Sequence, residues 1–164
     1  MVEAGGGRVL VLGVGNVNRG DDGAGRAVAR ALRGVLGAHV EVAECEGQAT
    51  GILAILETAS AALIIDACAS GAPAGTVRRF DVSQTPLPQA AFGVSTHGFG
   101  LHEAIELARA LGQLPARCVV YAIEGAGFET GAPLSPAAAA AVSQVARQVS
   151  VELGGEDRKE PAHA

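Results

Sequence analysis

The stretch RVLVLGVGNVNRGDDGAG, residues 8–25, decides the fold of this chain. Residues 9–14 form a continuous apolar run that ends among glycines, which predicts a strand buried on both faces, as the strands of a parallel sheet are. After the acidic pair, apolar residues recur from 23 to 36 at the spacing of one helical face. A strand, a glycine-containing turn and a helix in this order predict the opening unit of an α/β fold.

The rest of the chain continues this alternation of strands and helices. Further strands are predicted at residues 40–45, 61–65, 76–82 and 117–123, and further helices at 50–58, 100–111 and 135–153. The strand at 76–82 follows its predecessor after only about ten residues, whereas a parallel crossover needs roughly a dozen. We therefore predict an α/β three-layer sandwich, with a five-stranded, mostly parallel twisted sheet, one antiparallel edge strand and helices on both faces.

The length of 164 residues fits one domain with a single core. We assign residues 1–153 to that domain and expect the charged, glycine-containing residues 154–164 to be a disordered tail. With a net charge of −5, few aromatic residues and no basic stripe, the sequence predicts no binding to nucleic acid. The most apolar stretch, residues 59–65, is interrupted by Asp66 and is far shorter than the roughly 20 residues of a membrane span.

The cysteines indicate the compartment. Cys45, Cys68 and Cys118 are an odd, widely spaced set that forms neither a disulfide framework nor a CxxC metal pair. The pattern is typical of buried thiols. Together with the absence of a recognisable signal peptide, it predicts a cytoplasmic protein.

Polar residues stand at the ends of several predicted strands. The acidic pair Asp21 and Asp22 follows the first strand, Asp66 ends the third, Glu124 ends the last, and His97 precedes the helix at 100–111. Ligands of such folds bind outside the carboxyl ends of the strands, so we expect these side chains to converge at one edge. Two carboxylates and an imidazole there would suit a divalent transition metal such as nickel or zinc.

Each of these residues also has a simpler interpretation. Asp21 or Asp22 could cap the following helix, Asp66 could begin a turn, and His97 could bond to backbone. For Asp21 and Glu124 the sequence favours no specific role.

Two other kinds of site were weighed. Gly13, Gly15 and Asn18 lie where a dinucleotide fingerprint would lie, but the third position should be Gly or Ala, and the adjacent aspartates would repel a pyrophosphate. Cys68 with His97 could form a nucleophile and its base, but no flanking motif supports that pairing.

Three segments resemble the hydrogenase maturation endopeptidases. In the first, G-x-G-N is followed by four residues, an acidic pair and G-x-G; the matching residues are Gly13, Gly15, Asn16, Asp21, Asp22, Gly23 and Gly25. The second is AALIIDA at 61–67, an apolar strand ending in Asp, and the third is STHGFGL at 95–101, a loop His before a helix. The resemblance covers residues 8–150 and agrees with the predicted fold. Glu46, Gly47 and Gln48 depart from a glycine-rich turn of many relatives, in a region of substrate contact.

The resemblance implies a function and a site. It makes Asp22, Asp66 and His97 the nickel-binding trio and the catalytic residues. It also implies that the nickel is supplied by the substrate, the large-subunit precursor of a nickel-iron hydrogenase, from which a C-terminal extension would be cut. The chain lacks both HExxH and G-x-S-x-G, as a protease whose metal arrives with its substrate can. We expect a monomer. A non-proteolytic, nickel-recognising chaperone of the same precursor would use the same residues and stays open as an alternative.

Overall fold

One mixed sheet organises the computed structural model, which describes residues 7–91 and 100–154. Its strands are β1 (Val9–Val14), β2 (Val40–Cys45), β3 (Ala61–Cys68), β4 (Val77–Asp81) and β5 (Arg117–Glu124). They lie in the order β2-β1-β3-β5-β4, parallel except for β4, which runs antiparallel to β5 at the edge. The predicted five-stranded, mostly parallel sheet with one antiparallel edge strand is confirmed.

Helices cover both faces of this sheet. They are α1 (Ala24–Leu32), α2 (Ala49–Leu56), α3 (Leu101–Ala110) and α4 (Pro136–Gly154). α1 packs with α4 on one face, and α2 packs with α3 on the other. Two short 3-10 turns, Gly20–Gly23 and Gln89–Ala91, precede α1 and α3. The arrangement is the predicted three-layer sandwich.

The continuous apolar run of β1 follows from its place inside the sheet. Leu10 and Leu12 belong to the core beneath α2 and α3, whereas Val11 belongs to the core beneath α1 and α4. All three side chains are fully buried. A strand covered on both faces needs apolar residues at every position, because both sides of the pleat are removed from water.

Two predicted boundaries are wrong by three or more residues. The third strand was expected to stop at residue 65, but β3 continues through Cys68 because its last residues pair with residues 122–124 of β5. The first helix was expected to reach residue 36, but α1 ends at Leu32. There Arg33 turns extended, with ψ of 128°, and Gly34 adopts a φ of +78°, so the helical path is broken.

Gly25 allows α1 to approach the sheet closely. A Cβ atom at this position would lie 2.2 Å from the carbonyl oxygen of Ile65 and 2.7 Å from that of Val14. Backbone atoms of β1 and β3 cannot move aside for it, so only glycine fits. This contact holds the amino-terminal end of α1, and the acidic turn before it, directly against the carboxyl ends of β1 and β3.

Glu44 on β2 accepts hydrogen bonds from three arginines, of which two lie in α1 and the third directly follows it. Its Oε1 accepts hydrogen bonds from Arg26 and Arg30, each at 2.9 Å, and its Oε2 accepts one from Arg33 at 2.8 Å. Burial alone would raise the pKa of Glu44, but the three guanidinium groups lower it to about 2. The cluster ties α1 to the edge strand β2.

We expect Glu44→Gln to lower the free energy of unfolding by about 1–2 kcal/mol at pH 7, since two of the arginines are half exposed and solvent screens them. Because folding lowers the pKa of Glu44, its contribution is present above the unfolded pKa and is lost as the pH falls toward about 2. Urea unfolding between pH 7 and pH 2.5 should therefore show the two proteins converging in acid. Glu41→Gln, which removes an exposed pair with Arg8, is the matched control; a loss of stability in Glu44→Gln that is as large at pH 2.5 as at pH 7 would contradict the assignment.

No helix among residues 7–91 and 100–154 is both long and apolar enough to cross a membrane. Gly154 is the last residue of α4, and the rest of the tail predicted at 154–164 lies outside the described residues, as does His97.

Candidate functional site

The candidate site lies where the sheet changes winding direction. From β1 the chain crosses one face through α1 to reach β2, and from β2 it crosses the other face through α2 to reach β3. The two connections diverge between β1 and β3 and leave a crevice at their carboxyl ends, which is where open α/β sheets bind ligands. Asp22 follows β1 and Asp66 lies near the end of β3, so both flank this crevice.

Asp22 is held in the 3-10 turn between β1 and α1. Its side chain is almost fully buried, and its Oδ2 accepts a hydrogen bond from the backbone N–H of Asn16 at 2.9 Å. Asn16 in turn fixes the loop, since its Oδ1 accepts the N–H of Asn18 at 2.9 Å. A carboxylate thus fills the place that a pyrophosphate would take in a dinucleotide site. The capping alternative is wrong for α1, whose N-cap is Gly23 and has no side-chain cap.

Asp66 lies inside β3 opposite Ala122 of β5, so the turn alternative is wrong for this residue. Its Oδ1 accepts the N–H of Ala67 at 2.8 Å. Burial raises the pKa of Asp66 well above its ordinary value, and the negative charge of Asp22 raises it further. Asp22 and Asp66 are therefore near enough for their charges to interact, at the edge of the sheet where both strands end.

The third predicted member of the site is His97. His97 lies outside the described residues, between Ala91 and α3. Within residues 7–91 and 100–154, no three or more His, Cys, Asp or Glu side chains are grouped so that they could hold a metal ion. The trio of Asp22, Asp66 and His97 stays a prediction, of which the structure supplies the carboxylate pair.

Cys45 lies at the same edge of the sheet and was not among the predicted site residues. It ends β2 opposite Val14 of β1, and its half-buried thiol feels the charge of Asp66. Burial, and to a lesser extent that charge, raises the pKa of Cys45, so the thiol stays protonated at neutral pH. Its position at the end of a predicted strand was the available signal, as it was for Asp66.

Asp21 points away from the crevice and has a different role. Its Oδ1 accepts the N–H of Ser135 at 2.7 Å, and its Oδ2 accepts the N–H of Ala126 at 2.7 Å and the hydroxyl of Ser135 at 2.8 Å. Burial alone would raise the pKa of Asp21, but these bonds lower it below its usual range. With a side chain only 1% exposed, Asp21 connects the acidic turn to the loop after β5 and the start of α4.

Cys68 is not a nucleophile. Its thiol is buried and donates a hydrogen bond to Oε1 of Glu124 at 3.3 Å. Burial, together with the neighbouring carboxylate, raises the pKa of Cys68 to about 12. A nucleophilic cysteine needs a lowered pKa and access to substrate, so the cysteine-nucleophile alternative is wrong.

Comparisons with known proteins agree with this geometry. A model of the hydrogenase maturation protease family matches residues 29–152. The chain is 32% identical over 149 residues to the hydrogenase expression/formation protein HupD of Rhodobacter capsulatus, covering 89% of this chain and 71% of that protein. It is 32% identical over 114 residues to the corresponding HoxM protein of Cupriavidus necator, covering 68% of this chain and 56% of that protein. Among solved structures, the hydrogenase maturating endopeptidase HybD of Escherichia coli superposes with a TM-score of 0.73 at 25% identity, covering 91% of this chain and 93% of HybD.

Proposed function

This chain belongs to the hydrogenase maturation protease family, and we propose that it is the endopeptidase that removes the C-terminal extension from the nickel-loaded large-subunit precursor of a nickel-iron hydrogenase. The observation that carries the proposal is the Asp22–Asp66 pair, two interacting carboxylates at the crevice between β1 and β3. Such a pair is a ready acceptor for a divalent cation.

The repulsion between the two carboxylates supports a substrate that brings its own metal. In the free protein, burial and the charge of Asp22 disfavour the ionised form of Asp66. A cation docked between the carboxylates reverses that balance, because it attracts both. Binding of a metal-loaded precursor is thereby favoured over binding of the same polypeptide without metal.

In this proposal Asp22, Asp66 and His97 complete the coordination of the nickel that the precursor carries. Docking of that centre places the scissile peptide bond beside the carboxylates. The nickel would polarise the peptide carbonyl or activate the attacking water, or a carboxylate would accept a proton from that water as general base and pass it to the leaving amine. The sequence specificity of cleavage follows from docking of the metal centre, so generic proteins such as casein should not be cut.

We further propose that the protein acts as a monomer in the cytoplasm. All three cysteines are free thiols in the structure, which agrees with a reducing compartment.

The proposal is tested by mixing the purified protein with the nickel-loaded precursor and following the mass of the precursor. We expect loss of a short C-terminal peptide, and no loss with nickel-free precursor or with the variant His97→Ala. His39→Ala is the matched control, because His39 is exposed just before β2, at the opposite edge of the sheet. A stable complex whose precursor keeps its full mass would contradict the endopeptidase and support the chaperone alternative.

A further inference from the structure

A buried carboxylate outside the Asp22–Asp66 pair organises the end of β3. Glu124, the last residue of β5, is 3% exposed. Its carboxylate accepts the Cys68 thiol, the hydroxyl of Ser70 at 2.6 Å, the N–H of Ser70 at 2.9 Å and the N–H of Gly71 at 3.2 Å. Burial alone would raise the pKa of Glu124, but these donors lower it, so the group is ionised at neutral pH. The last residue of β3 and the residues just after it therefore donate hydrogen bonds to one buried carboxylate, that of Glu124.

Arg78 on β4 extends this network to the segment before α3. Its Nη2 donates to the Ser70 hydroxyl oxygen at 2.7 Å and to the carbonyl oxygen of Ala91 at 3.0 Å, and lies 3.8 Å from Oε1 of Glu124. The Ser70 hydroxyl thus accepts from Arg78 while it donates to Glu124. Ala91 is the last described residue before residues 92–99, in which the sequence places His97.

The sheet register places this network on the same face as Asp66. Asp66 of β3 is opposite Ala122 of β5, and Ala122 is opposite Arg78 of β4. Side chains that face each other across neighbouring strands point to the same side of a sheet. Arg78 therefore lies in the same cross-strand row as Asp66, with only the small side chain of Ala122 between them.

The next arginine along β4 has a different environment. Arg79 is opposite Tyr121 on the other face of the sheet, and its Nε donates to Glu152 of α4 at 3.3 Å. Arg117 also contacts this carboxylate, at 2.9 Å. Both arginines of β4 pair with a glutamate, but only Arg78 contacts Ser70, just after β3, and the carbonyl of Ala91.

We propose that Arg78 and Glu124 are positioning residues for precursor cleavage, which fix the exit of β3 and the carbonyl of Ala91 relative to Asp66. The inference rests on the proposed function of the site. Arg78 donates to the Ser70 hydroxyl and to the Ala91 carbonyl and lies 3.8 Å from the Glu124 carboxylate, so its contacts connect β4 to both segments. A displacement of about 1 Å at a reacting group can cost roughly a hundredfold in rate.

The test compares Arg78→Gln with Arg79→Gln, each of which removes one arginine–glutamate pair from β4. For Arg78→Gln we expect kcat for precursor cleavage to fall by roughly ten- to a hundredfold with KM within about twofold of wild type. For Arg79→Gln we expect kcat close to wild type, whatever its melting temperature. An unchanged kcat in Arg78→Gln, or an equal loss in Arg79→Gln, would overturn the proposal.

Two further measurements keep the test decisive. Ser70→Ala removes only the hydroxyl between Arg78 and Glu124, and we expect a loss of kcat in the same direction, about three- to tenfold; wild-type kcat would count against the network. Amide hydrogen exchange at Ser70 and Gly71 should accelerate at least about tenfold in Arg78→Gln and stay unchanged in Arg79→Gln. If the wild-type protein cleaves no precursor, the proposed function fails. The exchange rates alone then support or overturn the role of Arg78 in fixing the residues that follow β3.

Discussion

Replacing Asp66 with asparagine is expected to reduce precursor cleavage by roughly 10³-fold while leaving the fold as stable as the wild type or more stable. The asparagine Oδ1 can still accept the N–H of Ala67, so the local backbone keeps its partner. What is lost is a buried negative charge that faces Asp22, and burial and repulsion both disfavour that charge in the folded state. A residue kept at a cost to stability is the expected property of a functional site.

The size of the stability difference between Asp66→Asn and wild type depends on pH. Folding raises the pKa of Asp66, so the wild type loses stability as the pH rises above the unfolded value of about 3.9. Asp66→Asn lacks this loss, and its advantage over wild type should grow between about pH 4 and pH 7. Urea unfolding across that range, beside the precursor mass assay, measures both halves of the prediction.

Asp22→Asn should behave similarly in the cleavage assay, because the asparagine can still accept the N–H of Asn16 while the second carboxylate is lost. Asp81→Asn is the matched control, since Asp81 bonds Ser83 at the end of β4, away from the crevice. Cleavage at the wild-type rate by Asp66→Asn would remove this residue from the site. A large loss of stability in Asp66→Asn would show that the carboxylate acts structurally.

The sequence predicted most of the fold because the apolar pattern is strong where burial is complete. β1 and β2 have their predicted boundaries, and the short link before β4 correctly predicted an antiparallel edge strand. The end of β3 was wrong for a physical reason. An aspartate normally ends an apolar strand, and only pairing with β5 carries β3 two residues past it.

Side-chain partners distant in sequence were not predictable in the same way. Arg78 and Arg79 are adjacent and chemically identical, but they lie on opposite faces of the sheet. Arg78 contacts Ser70 and Ala91, whereas Arg79 contacts Glu152. Glu124 could not be assigned a role because its donors come from residues about 55 positions away. Convergence of Asp22 and Asp66 was predictable, since the carboxyl ends of adjacent parallel strands meet at one edge.

Asp21, the first residue of the acidic pair, is expected to contribute strongly to the stability of the fold. Asp21→Ala should lower the free energy of unfolding by about 3–5 kcal/mol, because three donors of Ala126 and Ser135 lose their buried, charged acceptor at once. Such a loss is a large share of the roughly 5–15 kcal/mol that holds a domain folded. Ser135 is also the residue whose hydroxyl accepts the N–H of Ala138 in the first turn of α4, so the helix start loosens as well.

Denaturant unfolding of Asp21→Ala, Asp21→Asn and Ser135→Ala measures this effect. Asp21→Asn keeps the volume but presents an amide N–H₂ to backbone donors, so we expect a loss of about 2–3 kcal/mol, whereas Ser135→Ala should cost only about 1 kcal/mol. Folding lowers the pKa of Asp21, so its contribution is present above the unfolded pKa and is lost as the pH falls in acid. A neutral effect of Asp21→Ala on stability would contradict the structural role. If Asp22→Asn instead keeps the stability of the wild type and loses cleavage, these two adjacent and identical residues are separated into one that holds the turn and one that acts on the substrate.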